Sequence, residues 1–403
     1  MTSLDTVRPG VVRWLDGARV AGVEHAFSET GRTSPTLYST LYAVLARELV
    51  DAWDDLDREA VVDWIRTFQS SETGFFWDER MSYRPGSVHN AEYTSWHITC
   101  CALQALDALG ARPTHALRFL EPFRAPGAAE AWLGALNMKA AWRESNKIMA
   151  LLAALYYVYD ATEDDAWLEP YHAVLDWLVA SQDSSTGLWG TDAGASKMNG
   201  MAATYHFLMF FDAVGREVPH ADLTINATLA LQLREGHYGP LGASACVDLD
   251  AVDVLATRSL VTDHRGDEVR ASVQRAYAAI AEMQNPDGGF PEHSVRGRSA
   301  LDWAAFPATY PRHRCTKTLV WQAKQVAKHA LRGVRLNYSG GIEQSPASMY
   351  ESTVWSAWFR PLAMATIAAR WGDLVPAPVT FTPQFRRLPG LGYTHAAYAH
   401  ASV

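Results

Sequence analysis

Three carboxylates, Asp248, Asp250 and Asp253, fall at i, i+2 and i+5 in the stretch Cys246-Val247-Asp248-Leu249-Asp250-Ala251-Val252-Asp253. They follow the loop Gly236-His237-Tyr238-Gly239-Pro240-Leu241-Gly242 directly, so the first two are predicted in or just before the first turn of an apolar helix. Negative charge is favoured there by the helix dipole. A helix N-cap employs one side chain, and further carboxylates nearby repel one another unless something else uses them. An acidic cluster at a helix start is therefore the leading site candidate.

Other residues that could join them are polar or aromatic positions near the starts of otherwise apolar segments. They are Tyr93, Trp96 and His97; Trp142, Arg143 and Glu144; Tyr205; Arg314; and Glu351 and Trp355. Glu144 reads either as a base or as half of an ion pair with a neighbour such as Arg143, since an unpaired buried charge is expensive. Glu351 reads as an orienting group or a helix-start residue. His97, in Trp96-His97-Ile98-Thr99-Cys100-Cys101, reads as a site group or a hydrogen-bonded core histidine. His313-Arg314-Cys315 with Asp248 offers weak spacing for a metal.

The elements that must position these residues repeat. Gln69 to Gly74-Phe75, Gln182 to Gly187-Leu188 and Gln284 to Gly289-Phe290 each place a glycine five residues after a glutamine that closes an apolar helix. Degenerate copies run from Arg234 to Gly239 and from Arg335 to Gly340, giving a period of about 50 residues, roughly six units and one decayed copy near residue 125. Helices at residues 60–69, 167–182, 223–234 and 269–284 carry apolar residues at helical spacing and are predicted to form an outer layer. More uniformly apolar helices at 93–109, 142–159, 201–214, 248–260 and 350–369 are predicted to be buried. Residues 35–50 form a further inner helix or a lid, and 299–332 hold one helix or two. No alternating strand pattern competes.

These features predict an all-α fold, an α/α toroid of about six helix pairs in one domain. Its expected limits are an N-terminal extension over 1–34, the toroid over 35–372 and a tail over 373–403 that wraps the surface. A chain of 403 residues, 48% hydrophobic and 20% charged, has ample core. A formal charge of −9 and a pI near 5.9 argue against nucleic-acid partners. No integral membrane span or secretory leader is read, so the expected location is cytoplasmic. Cys100, Cys101, Cys246 and Cys315 lack a CxxC pair and are predicted to be free thiols. The many tryptophans and tyrosines suit an apolar chamber for a small-molecule substrate. Oligomeric state is left open.

The glutamine-to-glycine loops and helix-pair period, over about residues 55–372, resemble those of the terpenoid cyclase and protein prenyltransferase superfamily. Asp248-Leu249-Asp250-Ala251-Val252-Asp253 resembles the DxDD motif of class II terpene cyclases, with Ala251 in the fourth place and the last carboxylate two positions late. The resemblance implies that Asp250 is a general acid, tuned by Asp248 and Asp253, and that Trp96, Tyr205 and Trp355 stabilise cationic intermediates. It implies no cofactor. The Cys246-x-Asp248 order is the reverse of the zinc pair in protein prenyltransferase β subunits, which argues against zinc prenyl transfer. Two further readings stand beside this one: a carbohydrate-active toroid with Glu144 or Glu351 as partner to Asp250, and a non-catalytic binding toroid.

Overall fold

The computed structural model describes residues 4–32, 34–80, 91–238, 244–292, 351–375 and 388–393. The predicted copy at 335–340, the segment 299–332 and the group His313, Arg314 and Cys315 lie outside the described residues.

Among the described residues six inner helices form the centre: α2 (Leu37–Leu49), α4 (Ala91–Ala108), α6 (Ala141–Thr162), α8 (Lys197–Ala213), α10 (Ala245–Arg258) and α12 (Val354–Arg370). Each packs on the next, and α12 packs back on α2, so the ring closes. Their apolar residues run nearly all the way round because neighbours and outer helices cover every side; α2 is buried almost throughout. Around them lie α1 (Leu4–Gly17), α3 (Arg58–Arg66), α5 (Ala128–Gly134), α7 (Leu168–Ser181), α9 (Ala221–Leu229) and α11 (Gly266–Ala281). The outer set is typified by α11, which buries Val269, Val273, Tyr277 and Ile280 and keeps charges between them. The chain is a single mostly helical α/α toroid. No helix among the described residues is long and apolar enough to cross a membrane.

The repeated glutamines staple one unit to the next. Gln69 Nε2 donates to Gly74 O (3.2 Å) and to His115 O (2.7 Å), where the next outer element begins. Gln182 Nε2 donates likewise to Gly187 O (2.9 Å) and Pro219 O (3.1 Å). The degenerate copy is in fact led by Gln232, which donates to Gly236 O and Ser272 O, two residues before the predicted Arg234. Gln284 donates to Gly288 O (2.8 Å) and Val7 O (3.0 Å), so the last staple takes hold of the chain's first helix.

That bond holds a helix that lies within the segment 1–34. Helix α1 occupies the outer position beside α12, with Val7, Val11 and Leu15 buried in the core. Its amphipathic spacing is short and holds Pro9, which hid it from a pattern search. Between α1 and α2 a small hairpin pairs β1 (Arg19–Val20) with β2 (Val23–Phe27), where no strand was expected. Helix α2 is the first inner helix and not a lid. The decayed copy near residue 125 corresponds to a broken outer element, a 3-10 helix over Arg118–Arg124 followed by α5. The described part of the tail, 388–393, is buried and not spread over the surface.

Candidate functional site

The first turn of α10 brings a buried ionic network together. Ser244 precedes the helix, but its hydroxyl donates to Glu292 Oε1 (2.6 Å) instead of capping the helix backbone. One turn on, Asp248 accepts from His237 Nδ1 (2.7 Å), from the backbone N–H of Tyr238 (2.9 Å) and from the Arg360 guanidinium of α12. The loop that supplies His237 is tied to α11 by the Tyr238–Ser272 hydroxyl contact (2.7 Å). Arg360 donates its other branch to Glu292 O (2.9 Å). Burial raises the Asp248 pKa, but His237, Arg360 and the hydrogen bonds outweigh it and hold the carboxyl below the usual range. Asp248 is therefore an ionised, fully bonded anchor.

Asp250, two residues on, has the opposite environment. It is 1% exposed, and neither carboxylate oxygen has a hydrogen-bond partner among the described residues. Burial, then the charges of Asp253 and Asp248, push its pKa well above the ordinary aspartate value. Asp250 holds its proton where a free aspartate has lost it. Asp253 is partly exposed and accepts from the Thr257 hydroxyl at 3.4 Å. On α8, Tyr205 is buried beside this pair; burial, then Asp253 and Asp250, raise its phenol pKa, and its hydroxyl lies near the Gly392 backbone. The Cys246 thiol, one turn before Asp250 on the same helix face, is likewise pushed up by burial, Asp250 and Glu292.

Across the ring stands an aromatic wall from α2, α4 and α12. Trp355 lies 4.7 Å from Tyr42, 6.0 Å from Tyr38 in a stacked pose, and 4.4 Å from Phe359, measured between ring centroids. Tyr93 stacks on His97 at 5.7 Å. His97 Nδ1 meets the Tyr38 hydroxyl at 3.2 Å, so this histidine is a hydrogen-bonded member of the wall. Nearby His206 meets the Ser145 hydroxyl at 2.8 Å, and burial followed by His97 pushes its pKa down to about 3, leaving it neutral.

Several expected site residues go elsewhere. Trp96 packs on Phe75, Phe119 and Trp132 of the outer layer, although it stands only one turn along α4 from Tyr93. It is removed from the cation-stabilising set. Glu144 is bound by Arg143 and by Lys147 Nζ (2.8 Å), and Lys147 also reaches Glu92 (3.3 Å). Glu351 pairs with Arg32 near the surface. Both carboxylates proposed as partners of Asp250 for sugar chemistry are thus engaged in ion pairs. Trp142 is half-buried at the start of α6, where its carbonyl accepts from Ser145 and Asn146. Arg314 lies outside the described residues. Among those residues no three or more His, Cys, Asp or Glu side chains converge as a metal site requires.

Sequence reasoning assigned no role to His237, Glu292, Tyr38 or Tyr42. Matching the loops on their left-handed glycines, Gly74 (φ +84°) and Gly288 (φ +96°), finds Glu292, which the glutamine-to-glycine spacing alone does not. Four residues beyond the loop glycine Gly74 lies buried Asp78, which accepts from the Leu37 N–H at the start of α2 (2.8 Å). Four beyond Gly288 lies Glu292, which meets Ser356 at the start of α12 (3.2 Å).

A family model described as the prenyltransferase alpha-alpha toroid domain matches residues 4–121 and 133–299, more than half of the chain. Among solved structures, the type II terpene cyclase MstE from Scytonema, in apo form, is 13% identical with a TM-score of 0.45, over 90% of this chain and 98% of that one. A polysaccharide lyase is 12% identical with a TM-score of 0.48, over 92% and 99% of the two chains. No curated protein matches.

Proposed function

This chain belongs to the prenyltransferase alpha-alpha toroid family, and from that premise we propose that it is a terpene-cyclase-like enzyme that starts reaction by protonating an isoprenoid. The observation that carries the reading is Asp250: a buried carboxyl, unpartnered at both oxygens among the described residues and flanked by a carboxylate that is fully bonded. A general acid must hold its proton at working pH and keep it free of competing acceptors. The raised pKa of Asp250 and the lack of a partner for its oxygens among the described residues support this role.

In the proposed step Asp250 transfers its proton to an alkene carbon or epoxide oxygen of the substrate. A new C–H or O–H bond forms, the π bond or a C–O bond breaks, and a carbocation and the Asp250 carboxylate result. A second alkene of the same substrate then attacks the cation, and loss of a proton or capture of water ends the sequence. Asp248, held by Arg360 and His237, supplies fixed negative charge that keeps the proton on Asp250 beforehand. Tyr205 and Trp355, joined by Tyr38 and Tyr42, would offer π faces to the positive charge in this reading. Exclusion of water by the buried wall protects the cation from premature capture.

The test is turnover of linear isoprenoids ending in an alkene or an epoxide. Replacing Asp250→Asn preserves shape but removes the acid, and turnover falls by about 10²–10⁴-fold while the fold is retained. Unchanged product formation in that variant rules out the role.

A further inference from the structure

The segment 388–393 runs inside the ring. Leu388 and Leu391 are buried, and Gln104 on α4 donates to Pro389 O at 3.3 Å. The Tyr393 hydroxyl donates to Asp212 Oδ2 on α8 at 2.8 Å. Gly392 has φ +79°, and a Cβ there would stand 2.7 Å from the Trp358 ring on α12. In the ring order α2, α4, α6, α8, α10, α12 the three helices touched are alternate members. One short stretch of chain that reaches all three lies across the bore.

Its depth follows from the helix positions. Inner helices run in the same direction, since each is followed by an outer element that returns the chain. Gln104 and Asp212 lie in the last turns of α4 and α8, whereas Asp250 lies in the first half of α10. Trp358, by contrast, lies in the first half of α12, so the segment starts from the end of the bore remote from the start of α10 and reaches inward to the level of Asp250. Gly392 is its innermost point, where the backbone nears Tyr205 of the acid cluster and Trp358 of the aromatic wall. Trp358 in turn lies 5.4 Å from Tyr42.

We propose that residues 388–393 form the end wall of the substrate chamber and set the longest isoprenoid chain it accepts, an inference that rests on the function proposed above. The wall is chemically suited to a hydrocarbon terminus. Leu388, Pro389 and Leu391 are apolar, and its polar backbone and hydroxyl groups are turned to Gln104 and Asp212. Leu391 and Tyr393 are positioning residues here, not catalytic ones.

The experiment measures binding of a ladder of linear isoprenoids, from geranyl through farnesyl and geranylgeranyl to longer chains, by full-length protein carrying Asp250→Asn so that no turnover intervenes. Leu391→Ala removes wall volume and Tyr393→Phe releases the latch on Asp212. Each is expected to move the longest chain bound with undiminished affinity up by at least one isoprene unit. Melting temperature is recorded in parallel, and Tyr393→Phe, which deletes only a hydroxyl, serves if Leu391→Ala does not fold. A segment with a merely structural role would lower the melting temperature and leave the length limit where it was, which overturns the inference and spares the isoprenoid reading. Failure of the parent protein to bind any member of the ladder overturns both.

Discussion

At the scale of single residues, Asp248 and Asp250 show how two aspartates two positions apart acquire opposite roles. Position 248 faces the His237 loop and Arg360, which stabilise its charge, whereas position 250 faces a region that gives its oxygens no described partner. The two pKa shifts give opposite pH dependences. Asp250 binds its proton more tightly folded than unfolded, so its contribution is fully present below about pH 4 and declines as pH rises through the unfolded value. Asp248 binds its proton less tightly when folded, so its contribution is present above about pH 4 and is lost as pH falls. Asp250→Asn carries no such proton requirement, and it is expected to melt at or above the wild-type temperature near neutral pH, with the difference shrinking toward acid pH. A lower melting temperature throughout contradicts the neutral, unpartnered state. Arg360→Leu leaves Asp248 buried without its guanidinium partner, and urea unfolding should show a loss of about 3–5 kcal/mol.

At the scale of elements, the staple glutamines make the repeat a connected object and not merely a series of similar helices. Gln182 binds carbonyls of its own loop and of the residue ahead of α9, so Gln182→Ala leaves both without that donor. A loss of about 1–3 kcal/mol in denaturant unfolding is expected. Gly187 within that loop has φ +70°, and a Cβ there would stand 2.6 Å from Thr224 Oγ1 and 2.7 Å from His220 O. A side chain is excluded both by the left-handed backbone and by the approach of α9. Gly187→Ala should therefore destabilise more than Gln182→Ala, and the reverse order would show that the staple outweighs the turn.

At the scale of the molecule, closure depends on chain ends meeting the middle. Gln284 binds Val7 across 277 residues of sequence, and α12 packs on α2, so early and late described helices complete the ring. Each repeat contributes interfaces that a neighbour must cover. Leu15→Ala in α1 should then behave as a core truncation, with a loss of about 2–5 kcal/mol read from the unfolding midpoint. A change near zero would mark α1 as peripheral to the ring.

The sequence by itself determined the period and the helical class, and it marked the three aspartates as a cluster. Glutamine and glycine at fixed spacing, apolar inner helices and three crowded aspartates are local patterns, and local geometry fixes helix faces and turn conformations. Trp96 shows the limit of that reasoning: it shares a helix with Tyr93 and His97, and only the packing of Phe119 and Trp132 shows that its face is turned outward. Tertiary structure alone decided that Asp248 is paired and Asp250 is not, because His237 comes from a loop and Arg360 from a helix 112 residues away. It also decided that α1 completes the outer layer and that residues 388–393 lie in the bore. Those outcomes depend on contacts between distant parts of the chain, and no periodicity within a segment records what will be brought against it.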